Sequence, residues 1–327
     1  MTMNHSKWSK LMTKIVFMGT PQFAVNILAG LLTDTAAYEI LAVVTQPDRR
    51  VGRRQRLQEN PVKSFATAHH LPVMQPERLA QSVELQQIIE LQPDLIITAA
   101  YGQFLPPELL AAPRLAAVNV HGSLLPKNRG GAPIQRAIMN GDTQTGITLM
   151  YMAAQMDAGD IISQQAVPIE ATDTAGSLFE KLSLVGRDLL LTTLPQIIAG
   201  TNERIPQDDS QATFTPNIKP TEELININQP ATQINRQVRG LNPDPVAYLW
   251  LDGLRTKIYQ ATVVDQATTL TPGHVVARTK KHLWIAAGEQ TVLSLDEIQP
   301  AGKSRMSIAA FLNGKGKDIQ IGDQIIK

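Results

Sequence analysis

From Lys14 to Val120 the sequence alternates short apolar runs with helix-length stretches, and that alternation leaves few folds open. Lys14–Met18, Glu39–Thr45, Asp94–Thr98 and Leu115–Val120 read as buried strands. Gln22–Leu32, Pro61–His69, Val83–Leu91 and Pro106–Leu110 read as the helices between them. Strands alternating with helices predict an α/β fold: a doubly wound, largely parallel sheet with helices on both faces. Ile147–Met152 and Ile161–Pro168 read as further strands, and the apolar period of Gly176–Ala199 predicts a long helix that closes the unit.

The pattern changes after Gly200. Residues 201–219 are polar, proline-bearing and without apolar period, which reads as a linker. Beyond it, Ala231–Arg239 reads as a helix, followed by short strands at Val246–Leu251, Lys257–Val264, His274–Arg278, His282–Ala287 and Val292–Ile298. Asp252-Gly253, Pro272-Gly273 and Gly288 punctuate them, and the spacing predicts a small all-β barrel or sandwich. The expected organisation is a disordered leader over 1–13, a catalytic domain over 14–200, a linker over 201–219 and a β-domain over 220–327.

Several chemistries are excluded or disfavoured. The chain has no cysteine, so it has neither disulfides nor a thiolate nucleophile or zinc–thiolate site. The first strand leads into Gly19-Thr20-Pro21-Gln22-Phe23, which lacks the G-x-G-x-x-G fingerprint, so no nicotinamide or flavin cofactor is expected. No phosphate-binding G-x-x-x-x-G-K-[ST] motif is present either. The adjacent His69 and His70 have no accompanying carboxylates, and no metal site is expected. The uninterrupted apolar stretches fall far short of the roughly 18–20 residues that span a bilayer, so no membrane association is expected, and the absence of cysteine fits the cytoplasmic location expected.

Net charge is only +1, but one segment concentrates cations. Arg49, Arg50, Arg53, Arg54, Arg56 and Lys63 are opposed there only by Asp48 and Glu59. Gln46–Asn60 is also long for a connection that usually takes about 2–6 residues. A long cationic loop at the carboxyl end of a strand suits the gripping of phosphates.

The densest chemical signal is Asn119-Val120-His121-Gly122-Ser123-Leu124-Leu125-Pro126. Residues two apart on a strand share a face, which pairs the Asn119 amide with the His121 imidazole. They fall where a strand enters a loop, and open α/β sheets place ligands at such carboxyl ends. Downstream, Gln155-Met156-Asp157-Ala158-Gly159-Asp160 adds carboxylates in a glycine-bearing turn. Amide, imidazole and carboxylate are the groups that stabilise an oxyanion and manage a proton. Asp160 is expected to shape the turn rather than to react.

The Asn-Val-His-Gly-Ser-Leu-Leu-Pro run, with a later Gly-Ile-Thr and Asp-x-Gly-Asp, resembles the folate-dependent formyltransferases. Thr45-Gln46-Pro47-Asp48-Arg49 leading into Val51-Gly52-Arg53, Asn242-Pro243-x-Pro245 and Pro300-Ala301-Gly302-Lys303 are similar to the branch that acts on methionyl-tRNA. The resemblance spans residues 14–313 and implies a Rossmann-like catalytic domain followed by an OB-like barrel. It implies that Asn119, His121 and Asp157 are catalytic and that Ser123, Leu124, Leu125 and Pro126 help bind the folate. It further implies that Arg49, Arg53, Arg54 and Arg56 engage tRNA, with the C-terminal barrel as a second contact. Ala153, Asn128, Asp244 and Ile227 depart from the branch's usual residues, and none belongs to the implied triad.

The implied reaction moves the formyl group of 10-formyltetrahydrofolate to the α-amine of initiator methionyl-tRNA, giving N-formylmethionyl-tRNA for translation initiation. Asn119 and a protonated His121 would donate to the formyl oxygen, while Asp157 orients the ring and accepts the amine proton. A monomer is expected. The alternatives are transfer to a sugar-nucleotide or glycinamide ribonucleotide amine, hydrolysis of the folate's formyl group, and a non-catalytic tRNA-binding protein.

Overall fold

The computed structural model describes residues 12–51 and 55–326. The expected leader, but for residues 12 and 13, and the loop arginines Arg53 and Arg54 lie outside them. In chain order the elements are β1 (Thr13–Gly19), α1 (Gln22–Leu31), β2 (Tyr38–Val44), β3 (Arg49–Val51), β4 (Arg56–Gln58), α2 (Pro61–Ala68) and β5 (Val73–Met74). Then come α3 (Val83–Glu90), β6 (Leu95–Ala99), α4 (Pro107–Leu110), β7 (Ala116–His121), α5 (Pro133–Asn140), β8 (Gln144–Tyr151), β9 (Ile161–Pro168) and α6 (Ala175–Ala199). The last third carries α7 (Ala231–Gly240), β10 (Tyr248–Leu251), β11 (Leu254–Val264), β12 (Val275–Arg278), β13 (Leu283–Ala286), β14 (Val292–Pro300), β15 (Met306–Ser307) and α8 (Ile308–Leu312).

The chain divides into two compact units. The first comprises residues 1–131, 146–167 and 179–214, and the second residues 132–145, 168–178 and 215–327. The polar stretch up to residue 214, which composition marks as a connection, therefore clusters with the first unit. Helix α5, which sequence patterning leaves unassigned, falls in the second.

A seven-stranded sheet runs in the order β5-β2-β1-β6-β7-β8-β9. Neighbours from β5 through β7 are parallel, and β8 is antiparallel to β7. Every residue of β6 is buried, and so are all but Lys14 of β1, because helices cover both faces of a central parallel strand. Helix α1 buries Phe23, Val25, Ile27, Leu28 and Leu31. Gly19 permits the sharp exit from β1: a Cβ there would sit 2.5 Å from Ala24 Cβ and 2.9 Å from Ala99 O. Asn60 and Ser82 cap α2 and α3 by accepting from Lys63 N and Leu85 N. Among the described residues, α6 is the one helix long and apolar enough to cross a membrane. It buries Leu178, Leu182, Leu190, Leu194 and Ile197 within the fold.

The chain order reverses about β1: β2 and β5 lie on one side, β6 and β7 on the other. In such sheets the crevice beyond the strands' carboxyl ends is where ligands bind. β7 ends there with Asn119 and His121.

The second unit centres on an antiparallel sheet in the order β10-β11-β14-β13-β12, with β15 paired to β14. Asp252 and Gly253, at φ +48° and +72°, make the tight β10–β11 turn that positive φ at both central residues allows. The core combines Ile258, Leu283, Ile285, Leu293 and Leu295 of the sheet with Ile234 and Val238 of α7 and Ile308, Phe311 and Leu312 of α8. Gly240 lets the end of α7 approach α5 closely: a Cβ there would meet Met139 Cγ at 2.6 Å and Gln135 O at 3.0 Å.

Candidate active site

Asn119 is set by its neighbour on β6. Thr98 and Asn119 are register partners, and the buried Thr98 hydroxyl donates to Asn119 Oδ1 at 2.8 Å. With its oxygen engaged, the amide keeps its N–H₂ group as a donor pair.

His121, two residues on, is 6% exposed. Its Nε2 lies 3.1 Å from Asn128 O, and because a carbonyl only accepts, Nε2 carries the proton. Nδ1 then faces Asp157 Oδ1 across 3.7 Å. The other Asp157 oxygen, Oδ2, accepts from Gly130 N at 2.8 Å. Asp157 thus has one oxygen committed to backbone and one turned to the imidazole.

The structure brings His121 and Asp157 together from segments more than thirty residues apart. Asp157 occupies the turn between β8 and β9 and adopts φ +50°. Gly159 packs against Tyr151: a Cβ there would lie 1.9 Å from Tyr151 O. Asp160 accepts from Arg204 Nε at 3.1 Å, and Arg204 stacks 4.2 Å above the Tyr151 ring. Asp160 thus ties the turn to Arg204.

The loop after β7 splits into inward and outward residues. Ser123 is fully buried, with its hydroxyl donating to Lys127 O at 2.8 Å. Leu125 is buried in a small cluster with Met150 and Ile161. Leu125 N donates to Thr148 Oγ1 and Thr148 Oγ1 donates to Ser123 O, which ties the loop to β8. Leu124 and Pro126 remain partly exposed. Ser123 and Leu125 thus hold the loop's shape from within.

The cationic loop is a hairpin on a polar base. β3 and β4 pair antiparallel, with Arg49, Arg50 and Arg56 exposed. Arg49 pairs with Glu77 at 3.3 Å, both side chains well exposed. At the base, Asn60 Nδ2 and Gln75 Nε2 both donate to Gln46 O, at 2.7 and 2.9 Å. Asp48 accepts from Lys63 Nζ at 2.6 Å and from Gln75 Nε2 at 2.8 Å. The bond from Lys63, then that from Gln75, holds the Asp48 carboxyl below its ordinary range, and Asp48 in turn raises Lys63. Sequence spacing does not reveal this base, since its members come from three separate segments.

No group of three or more metal-ligating side chains occurs among the described residues. The arrangement supplies instead a pre-turned amide donor, an imidazole of fixed tautomer and a carboxylate with one oxygen free of backbone.

Two family descriptions account for nearly all of the sequence. Residues 13–194 match "Formyl transferase", and residues 217–316 match "Formyl transferase, C-terminal domain". The chain belongs to the formyl transferase family. The methionyl-tRNA formyltransferase of Latilactobacillus sakei is 59% identical over 315 residues, covering 96% of this chain and 98% of that one. That of Levilactobacillus brevis is 55% identical over 314 residues, covering 96% and 99%. Among solved structures, an N-formyltransferase from Helicobacter canadensis with folinic acid and dTDP-3-aminofucose has a TM-score of 0.65 at 21% identity, covering 88% of this chain and 100% of that one. That likeness shows the fold alone.

Proposed function

We propose that the chain transfers the formyl group of 10-formyltetrahydrofolate to the α-amine of methionyl-tRNA, the initiator form being the acceptor. The observation that carries the acceptor is likeness from end to end, through both domains, to proteins named methionyl-tRNA formyltransferase. The exposed arginine hairpin fits a polyanionic acceptor. The acceptor-binding role is assigned to Arg49, Arg53, Arg54 and Arg56, with the C-terminal domain over 220–327 as a second contact. A monomer working in the cytoplasm suits this reading.

The site fits the folate through its donor chemistry. The Asn119 Nδ2 hydrogens have no acceptor in the protein among the described residues, and Leu124 and Pro126 offer apolar contacts at the loop. When bound, 10-formyltetrahydrofolate supplies an activated formyl group on N10. As the amine attacks the formyl carbon, Asn119 Nδ2–H donates to the oxygen on which negative charge develops. His121 Nε2–H, held at rest by Asn128 O, exchanges that acceptor for the same oxygen. Asp157 Oδ1 accepts the proton lost by the amine, directly or through water, and stays aligned because Oδ2 is held by Gly130 N. The bond between the formyl carbon and N10 then breaks, the proton passes to N10, and tetrahydrofolate leaves.

The test is the salt dependence of turnover. Arginine contacts to tRNA phosphates make kcat/KM for methionyl-tRNA fall steeply with ionic strength, while folate KM changes little. Equal, shallow dependence for both substrates contradicts a polyanionic acceptor.

A further inference from the structure

Among the described residues Arg129 is the largest side chain that is essentially fully buried, at 1% exposure, and the reaction chemistry leaves it without a task. Its Nε and Nη2 both donate to Gln207 Oε1, at 3.0 and 2.8 Å, and Nη2 also reaches Asp209 Oδ1 at 2.7 Å. Gln207 Nε2 donates in turn to Asp157 O at 2.8 Å and Gly159 O at 2.7 Å. The amide is thus saturated, accepting two bonds and donating two. Its orientation is dictated by its partners, because a guanidinium only donates and carbonyls only accept.

The backbone it grips is an unusual one. Asp157 sits at φ +50°, a left-handed conformation uncommon outside glycine. The segment that carries Gln207 is also bonded to the other side of the site. Thr213 O accepts from Arg129 N and Thr213 Oγ1 accepts from Asn128 N, both at 2.8 Å. Asn128 O is the acceptor that fixes the His121 ring. Ile205 and Ile161 exchange backbone bonds at 2.8 and 2.9 Å, and Tyr151 Oη donates to Asn202 at 3.0 Å. One polar strand of chain therefore fastens both the turn bearing Asp157 and the loop that orients His121.

We propose that Gln207, backed by the buried Arg129, is a positioning residue: it holds the Asp157 turn so that the carboxylate faces His121. The proposal rests on Asp157 acting in formyl transfer. Gln207→Glu tests it, because a carboxylate still satisfies Arg129 but sets an oxygen against the two carbonyls that Gln207 now holds. A misplacement of the order of 1 Å can cost about 10²-fold in rate, so kcat should fall by about 10- to 100-fold. KM for 10-formyltetrahydrofolate should stay within about twofold, since the affected group acts on the amine's proton.

Hydrogen exchange supplies a readout independent of activity. The Gly130 amide, bonded to Asp157 Oδ2, should exchange faster in the variant, while amides of β6 keep their protection. Gln207→Met, similar in length and lacking both donors, repeats the measurements if the glutamate variant does not fold. Unchanged kcat and unchanged Gly130 exchange in a folded variant would overturn the proposal, as would a loss confined to KM. Failure of the unmodified protein to formylate methionyl-tRNA counts against the proposed function instead, and the Gly130 exchange still decides whether Gln207 fixes the turn.

Discussion

Thr98 and Asn119 face each other on adjacent parallel strands, and a 2.8 Å bond from the threonine hydroxyl engages the amide oxygen and leaves its N–H₂ group to donate. A buried hydroxyl donor thus sets the direction of a donor pair two residues before His121. Thr98→Val keeps the shape and removes the bond. In this variant kcat should drop several-fold with folate KM nearly unchanged, and stability should fall by about 1 kcal/mol. Asn119→Ala removes the donor itself and should cost about 10²–10³ in kcat. Steady-state kinetics on the pair, with a thermal melt of each, checks both. A threonine variant as impaired as the alanine variant would mean that Thr98 does more than aim the amide.

Gly159→Ala should impair the site through the backbone. The added methyl would lie 1.9 Å from Tyr151 O, and a main-chain atom cannot swing aside as a side-chain end can. The turn must move, carrying Asp157 with it. Formyl transfer should fall by at least about tenfold, with a stability loss of about 1–3 kcal/mol. A melt and an activity assay on the same preparation measure both, and an unimpaired variant would contradict the packing described for this turn.

Asp94 offers a pH-dependent test of the sheet. Its carboxylate accepts from Lys14 N at 2.9 Å and from Arg114 Nε at 2.6 Å, tying the start of β1 to the segment that leads into β7. Burial pushes this carboxyl up, but the two donors outweigh burial and hold it below its ordinary range. A depressed folded value means the stabilisation is full above the unfolded carboxylate's pKa of about 3.9 and is lost as pH falls through the folded value. Asp94→Asn should therefore be less stable than the unmodified protein by about 1 kcal/mol at neutral pH. The gap should close below about pH 4. Denaturant melts across that range measure it; a gap that persisted at low pH would rule out the charge as its source.

Asp48→Ala should loosen the arginine hairpin without unfolding the sheet. The substitution removes the acceptor shared by Lys63 and Gln75 at the hairpin base. Limited proteolysis should cut within 46–60 sooner, and KM for methionyl-tRNA should rise while folate KM holds. Unchanged cleavage would show that the base does not govern the hairpin.

The sheet was legible because its strands are buried on both faces and so read as unbroken apolar runs. Asn119 and His121 were legible for a related reason: a polar pair at the end of such a run is conspicuous. Helix α5 was hidden, since Pro133–Asn140 has only Ile134, Ala137 and Ile138 buried and follows a glycine-rich turn. The β3–β4 hairpin was hidden because its exposed charges carry no apolar alternation. Residues 201–214 misled most. Their polarity matches a tether, yet Asn202, Gln207 and Thr213 spend their polar groups on specific partners in the site. Composition registers polarity but not whether it is turned to water or to protein, and Arg129 illustrates the same limit by being basic and buried.

The most direct test of the account is the fate of labelled formyl from 10-formyltetrahydrofolate when methionyl-tRNA, a sugar-nucleotide amine and water compete for it. Label is expected on the α-amine of tRNA-bound methionine, with negligible formate and no labelled sugar, and that label should be lost in the Asn119→Ala protein. Label appearing chiefly as formate or on the sugar amine would contradict the proposed acceptor.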